Sequence, residues 1–192
     1  MIKIGITGGI GSGKSIVSKI LLAMNYPVYN SDQEAKRIIR ENPKVRTQLI
    51  ELFGEEVYIN NELNRPFLAN IIFNDKVALE KVNNIVHPQV RADFTTFCKA
   101  QNSELVFNEA AILFETGGEQ QFDKMILVTA DEKLRISRVM KRDNIQEAEV
   151  KSRMSKQWSD EKKIPLADAI IINNGKKFLT CQVEKLVKSL TT

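Results

Sequence analysis

"GITGGIGSGKS", residues 5–15, holds five glycines in eleven positions and closes on a lysine and a serine. Glycine weakens strands and helices alike, so such density is tolerated only where the backbone must curl or be approached closely. The stretch emerges from Ile2–Thr7, a short β-branched run that reads as a buried strand. It leads into Lys14–Met24, where Ile16, Val17, Ile20, Leu21 and Met24 recur at helical spacing. Gly8-x-x-x-x-Gly13-Lys14-Ser15 between a strand and a helix is the pattern of a phosphate-binding loop. Its glycines let successive N–H groups turn inward, and the positive end of the following helix faces the same anion. Lys14 is expected to reach the β and γ phosphates of ATP, and the Ser15 hydroxyl to hold Mg²⁺. Gly9, Ile10, Gly11, Ser12, Gly13 and Ile16 complete the expected ATP-binding stretch. On this reading the glycines are there because a backbone so close to a triphosphate has no room for side chains.

The rest of the chain bounds the reading. Its 192 residues suit one domain, and 43% hydrophobic with 27% charged residues is a globular balance rather than a disordered one. A net charge of +4 suits a polyanionic small ligand, while no block of like charges marks a nucleic-acid tail, so no nucleic-acid partner is expected. Cys98 and Cys181 have no metal-site spacing and read as reduced thiols of a cytoplasmic protein. No uninterrupted apolar run precedes the glycines and none reaches membrane-spanning length, so neither a signal peptide nor a membrane partner is expected.

Further strands are expected at Pro27–Asn30, Glu104–Phe107, Met125–Thr129 and Asp168–Ile172. Helical patterns lie between them: Asp32–Arg40, Lys44–Phe53, a start at Asn64-Arg65-Pro66, and a long stretch from Asp75 to Gln101 interrupted at Pro88. Asp131 is expected to cap a helix running to Arg142, and the charged stretch Asp143–Lys163 to be helical. Asn173-Asn174-Gly175 turns into a last helix. Strands alternating with helices predict a parallel sheet, whose ligands gather at the carboxyl ends of its strands. Asp32, the glycine loop and the turn after Ile172 all fall there.

A phosphate loop alone allows several chemistries. The chain has no Asn-Lys-x-Asp guanine reader, and Phe107-Asn108-Glu109 is only a faint version of an apolar strand ending in paired acids. It does have an acid directly after the second strand and an arginine-rich charged segment late in the sequence. Small-molecule kinases use both, as a base for the acceptor hydroxyl and a lid over the phosphates.

At this point nearly the whole chain resembles the dephospho-CoA kinase family. The resemblance runs in order through "TGGIGSGKS", "NSDQEAKRII", "ELNRPFLANIIF", "IVHPQVR", "AAILFE", "RVMKRD", "RMSKQ" and "IINNG". It implies transfer of the ATP γ-phosphoryl group to the ribose 3′-hydroxyl of dephospho-CoA. It also implies "RVMKRD" and "RMSKQ" as the two sides of a lid, with Asn174 and Gly175 bordering adenine. Three positions depart from the family pattern: Asn30 where an acid is usual, Ala111 in place of proline, and Ile172 where an acid often stands. The first leaves Asp32 as the sole acid of its pair.

The candidate residues each carry a plainer alternative. Asp32 is expected as general base, or else as a helix N-cap. His87, the single histidine, contacts the acceptor or simply fills a turn before Pro88. Arg65 sits at a helix start, where the dipole disfavours a cation, which points to an acceptor phosphate; the alternative is a solvated arginine. Arg142 and Arg153 are expected to offset charge on the transferring group, with Arg138 behind them; the alternative is a solvated charged face. Trp158 and the aromatics of the 44–100 region read as core.

The expected architecture is an α/β P-loop NTPase fold of the nucleoside-monophosphate-kinase type: a five-stranded parallel sheet with helices on both faces, a helical acceptor insertion and a lid. The core is placed at about 1–43, 103–140 and 165–192, the acceptor-binding region at about 44–102, and the lid at about 141–164. A monomer is expected. The rivals are a kinase of this fold with another nucleotide or small alcohol as acceptor, and a non-catalytic nucleotide switch.

Overall fold

The computed structural model describes residues 1–191, the side chain of Asn74 excepted. The chain divides into two compact units, one of residues 1–30 together with the chain from Gln101 onward, the other Ser31–Ala100.

The first unit is built on five parallel strands: β1 (Ile2–Thr7), β2 (Val28–Asn30), β5 (Leu105–Glu109), β6 (Lys124–Thr129) and β7 (Ala169–Ile172), in the order β2-β5-β1-β6-β7. The central strand β1 alternates faces as a pleated strand must. Ile4 and Ile6 are fully buried with Leu105, Phe107, Ile126 and Val128, and α1 (Lys14–Ala23) covers them with Val17 and Leu21. The last helix, α9 (Leu179–Leu190), adds Val183 and Val187 to the same core. Gly5 points the other way, where a Cβ would lie 2.5 Å from the Met125 sulfur and 3.0 Å from Leu113 and Phe122. Leu113, Phe114 and Met125 close that face, with Trp158 packed against them. Strand β2 begins one residue later than expected: Pro27 has no N–H to give, although its carbonyl accepts from Phe107 N at 3.0 Å. Strand β5 runs two residues further, to Glu109, in register with Asn30 on one side and Ile6 on the other.

After β6 comes α6 (Glu132–Asp143), which ends at Asn144 with φ 53. Asp131 precedes α6 without capping it by its side chain, contrary to expectation. Its carboxylate instead accepts from Asn174 Nδ2 at 2.9 Å, and Asn174 Oδ1 accepts from Asp131 N at 2.8 Å. The charged stretch is not one helix either: it breaks into α7 (Glu147–Met154) and α8 (Asp160–Lys163). Fully buried Val150 folds α7 back on Ile136 and Val139 of α6.

The second unit holds α2 (Ser31–Glu41), α3 (Pro43–Phe53), α4 (Arg65–Asn74) and α5 (Lys76–Lys99). Asn42, Asn64 and Asp75 cap α3, α4 and α5 through their side chains. A hairpin that the sequence reading did not anticipate joins β3 (Tyr58–Ile59) to β4 (Glu62–Leu63), with Asn60 and Asn61 both at positive φ. Helix α5 runs unbroken through Pro88, where an interruption was expected. Ala78, Val82, Val86, Val90, Phe94 and Cys98 form an unbroken buried stripe at four-residue spacing. Packing of that stripe outweighs the roughly 3 kcal/mol that an interior proline costs. Helix α2 packs on α5 and belongs to this unit, although the sequence-based boundary kept residues up to 43 with the sheet.

Candidate active site

The glycine loop leaves the carboxyl end of β1 and enters α1 through Gly13, which sits in the left-handed region at φ 101. Four of its glycines, Gly8, Gly9, Gly11 and Gly13, are crowded by the protein itself. A Cβ on Gly11, at φ 78, would fall 2.6 Å from the Arg135 carbonyl oxygen, and one on Gly13 would fall 2.1 Å from Asn173 Nδ2. Close approach is therefore the reason for the glycines, as expected, but α6 and the β7 turn impose it before any phosphate does. Lys14 arches over the loop, its ammonium donating to Gly8 O at 2.8 Å. Ser15 and Ile16 are exposed in the first turn of α1, which carries no acidic residue to offset its dipole.

Side chains from later in the chain brace the loop from outside. Asn173 Nδ2 donates to Ser12 O at 2.8 Å, and Arg138 donates to Asn173 O at 2.9 Å. Arg135 Nε donates to Ile10 O at 3.0 Å, while Gln157 Oε1 accepts from Ile10 N at 2.8 Å. Asp160 pairs with Arg135 at 3.3 Å and accepts from the Thr129 hydroxyl. Trp158 N donates to Glu115 Oε1 at 3.0 Å, and the fully buried Lys163 pairs with the same oxygen at 2.6 Å. Sequence reasoning passed over Arg135, Gln157, Asp160 and Asn173. The three-and-four spacing of Arg135, Arg138 and Arg142, which puts all three on one helix face, was the signal available for the first.

Arg142 and Arg153 are brought together, by Asp143 rather than by the loop. Arg142 holds that carboxylate at 2.7 and 2.9 Å and Arg153 reaches it at 2.9 Å. The Arg142 bond, with its charge and that of Arg153, keeps the Asp143 carboxyl below its ordinary range. Both guanidiniums remain open to solvent, at 61% and 48% exposure, whereas Arg138 is turned inward onto the loop. Asn174 is tied to Asp131, and Gly175, at φ 75, has nothing within 4 Å of where a Cβ would stand. A cavity of about 660 Å³ opens beside these residues at the ends of β6 and β7, bordered by Thr129, Asp131, Arg135, Trp158, Asp160 and Asn174.

Glu109 ends β5 almost fully buried, its carboxylate accepting from Asn30 Nδ2 at 3.2 Å. The residue in place of the usual acid thus holds an acid on the neighbouring strand. In the second unit, Asp32 is exposed and stands inside the first turn of α2, past the cap position. Arg65 opens α4 and is exposed. His87 is half-buried on α5, and burial, reinforced by the Arg91 charge, lowers its pKa. Helix α5 packs against both α2 and α4.

A parallel sheet in this order, with a glycine loop between its central strand and the following helix, defines a P-loop kinase fold. Solved structures share it: a Thermus thermophilus crystal structure is 34% identical with a TM-score of 0.90, covering 100% of this chain and 98% of that one. Shikimate kinase from Acinetobacter baumannii has the same fold at 14% identity and a TM-score of 0.56, covering 100% of this chain and 93% of that one. The family model for dephospho-CoA kinase matches residues 2–178, and the chain belongs to that family. A Bacteroides fragilis dephospho-CoA kinase is 40% identical over 190 residues, covering 98% of this chain and 93% of its relative. The Porphyromonas gingivalis enzyme is 41% identical over 193 residues, covering 100% and 96%. Among the described residues no helix is long and apolar enough to cross a membrane.

Proposed function

We propose that this chain transfers the γ-phosphoryl group of ATP to the ribose 3′-hydroxyl of dephospho-CoA, giving CoA and ADP. The observation that carries the reading is the braced glycine loop in a chain of the dephospho-CoA kinase family. ATP lies along residues 9–16, its β and γ phosphates facing the loop N–H groups and Lys14. Asn174 and Gly175 border the adenine, where the open space at Gly175 leaves room for a flat base.

The residues present fit Mg²⁺. Among the described residues no cluster of three or more ligating side chains could hold an ion alone. Mg²⁺ characteristically takes one or two protein oxygens and completes its shell with water and phosphate. The Ser15 hydroxyl and the Glu109 carboxylate, which Asn30 holds, are such oxygens. When bound, Mg²⁺ neutralises charge on the β and γ phosphates. Asp32 accepts the proton of the 3′-hydroxyl, a step worth roughly 10²–10⁴ in rate. Arg142 and Arg153, already poised as a pair, offset charge on the transferring group. Arg65 and His87 orient the acceptor; with its pKa lowered, His87 is neutral at pH 7 and donates a hydrogen bond rather than a charge.

The test is ATP turnover by the purified protein against dephospho-CoA, AMP, CMP and adenosine. Stoichiometric ADP and CoA with dephospho-CoA alone is the expected result. Turnover with a different acceptor makes the chain a kinase of another specificity, and binding without turnover makes it a switch.

A further inference from the structure

The phosphate loop is gripped at one residue from three sides. The Ile10 side chain packs against Ile136, Val139 and Val150 of the α6–α7 hairpin. Its carbonyl accepts from Arg135 Nε at 3.0 Å and its N–H donates to Gln157 Oε1 at 2.8 Å. Arg135 is itself fixed: its guanidinium lies so close over Gly9 that a Cβ there would be 1.8 Å from one nitrogen, and Asp160 pairs with it at 3.3 Å. Gln157 and Asp160 belong to one short segment, residues 157–163. That segment is anchored at both ends on Glu115, by Trp158 N at 3.0 Å and by buried Lys163 at 2.6 Å.

We infer that Gln157 and Arg135 are positioning residues for ATP, which hold the Ile10 peptide groups and thereby fix the loop in its phosphate-binding curve from the 157–163 segment. Arg135 Nε and Gln157 Oε1 bond the Ile10 peptide groups, and through them both residues act on the loop. A loop whose N–H groups are already aimed binds its anion without first ordering itself, and releasing one grip returns that cost to the binding step. The segment and the nucleotide are then coupled: displacing residues 157–163 weakens ATP, and bound ATP protects the segment, because coupling of this kind is reciprocal. This inference rests on the kinase reading for the identity of the ligand, but not for the existence of the grip.

The experiment uses the full-length protein with Gln157→Met, which preserves length and removes the acceptor. In the absence of nucleotide, amide exchange of residues 10–12 should quicken while the β-sheet amides stay protected. Calorimetry with MgATP should show Kd raised about fivefold, the worth of one hydrogen bond. In turnover the loss should fall on KM for ATP, with KM for dephospho-CoA held within about twofold, a split that general destabilisation does not produce. Asp160→Asn, which unpairs Arg135 while keeping the side-chain shape, should raise the same Kd and serves if Gln157→Met folds poorly. An unchanged MgATP Kd in both variants overturns the inference. Wild-type protein that binds MgATP but phosphorylates no dephospho-CoA overturns the kinase reading alone, since the Kd comparison still reports on the loop.

Discussion

At the scale of single residues, the loop and its surroundings separate groups that hold from groups that react. Gly13 holds. Alanine there would combine a left-handed backbone at φ 101 with a Cβ 2.1 Å from Asn173 Nδ2, whose bond to Ser12 O would have to break. Gly13→Ala should therefore cost about 2 to 4 kcal/mol in urea unfolding; a loss below about 1 kcal/mol would mean that the loop relaxes freely. Asp32 reacts. It stands inside α2, not at its cap, so Asp32→Asn should leave stability nearly unchanged while kcat falls by roughly 10²-fold or more. An active Asp32→Asn enzyme would remove Asp32 from the mechanism even with the kinase assignment intact. His87 adds a pH dependence. Burial lowers its pKa below the ordinary 6.5 of a histidine, so the unfolded chain takes up the proton first as pH falls. Its contribution is fully present above that value and is lost as pH drops through the folded-state pKa. His87→Gln should flatten the stability profile below about pH 6.5, and an unaltered profile would show that other groups set the acid limb.

At the scale of elements, the strands and most helices could be read directly, because period-2 and period-3.6 patterns announce themselves. The caps Asn64 and Asp75 and the turn at Gly175 were equally open to reading. What escaped were features that depend on a distant partner. Pro88 looks like a break until the buried stripe from Ala78 to Cys98 is seen packed. Asp131 looks like a cap until Asn174, forty-three residues on, takes its carboxylate. Arg135 and Gln157 look like ordinary members of a charged face until both are found on Ile10. The α6–α7 hairpin has an apolar cluster of its own. Buried Ile136, Val139 and Val150 form it, with Ile10, Met140, Ile145 and Met154 packed against them. Val150→Ala should cost about 2 kcal/mol and selectively speed amide exchange in α7. Uniform acceleration across the sheet instead would show that α7 unfolds only with the whole unit.

At the scale of the whole molecule, the two compact units divide the work expected of a phosphotransferase. The glycine loop, its braces and the Arg142–Arg153 pair lie in the sheet unit, while Asp32, Arg65 and His87 lie in the helical one. Contacts group α2 with the helical unit, a grouping that composition, unchanged near residue 30, does not reveal. The matter is decided by Ile38, buried in the helical unit, and by the Arg37–Asp93 ion pair at 2.8 Å that ties α2 to α5. This division makes ATP binding testable apart from chemistry. MgATP at about 100 times its Kd should add about 2.7 kcal/mol to folding stability, a rise of roughly 5–10 °C in Tm for a chain of this size. Lys14 separates the two sources of stability. Its ammonium donates to loop carbonyls, Gly8 O at 2.8 Å and Gly9 O at 3.5 Å, and Lys14→Ala should leave the nucleotide-free Tm within about 2 °C of wild type. The same substitution removes the cation proposed to face the β and γ phosphates, so it should cut the MgATP-induced rise by half or more and lower turnover by orders of magnitude. Differential scanning calorimetry with and without MgATP reads both effects in one series. A full MgATP shift in Lys14→Ala would mean that the nucleotide is held elsewhere, and the glycine loop would lose its place at the centre of the mechanism.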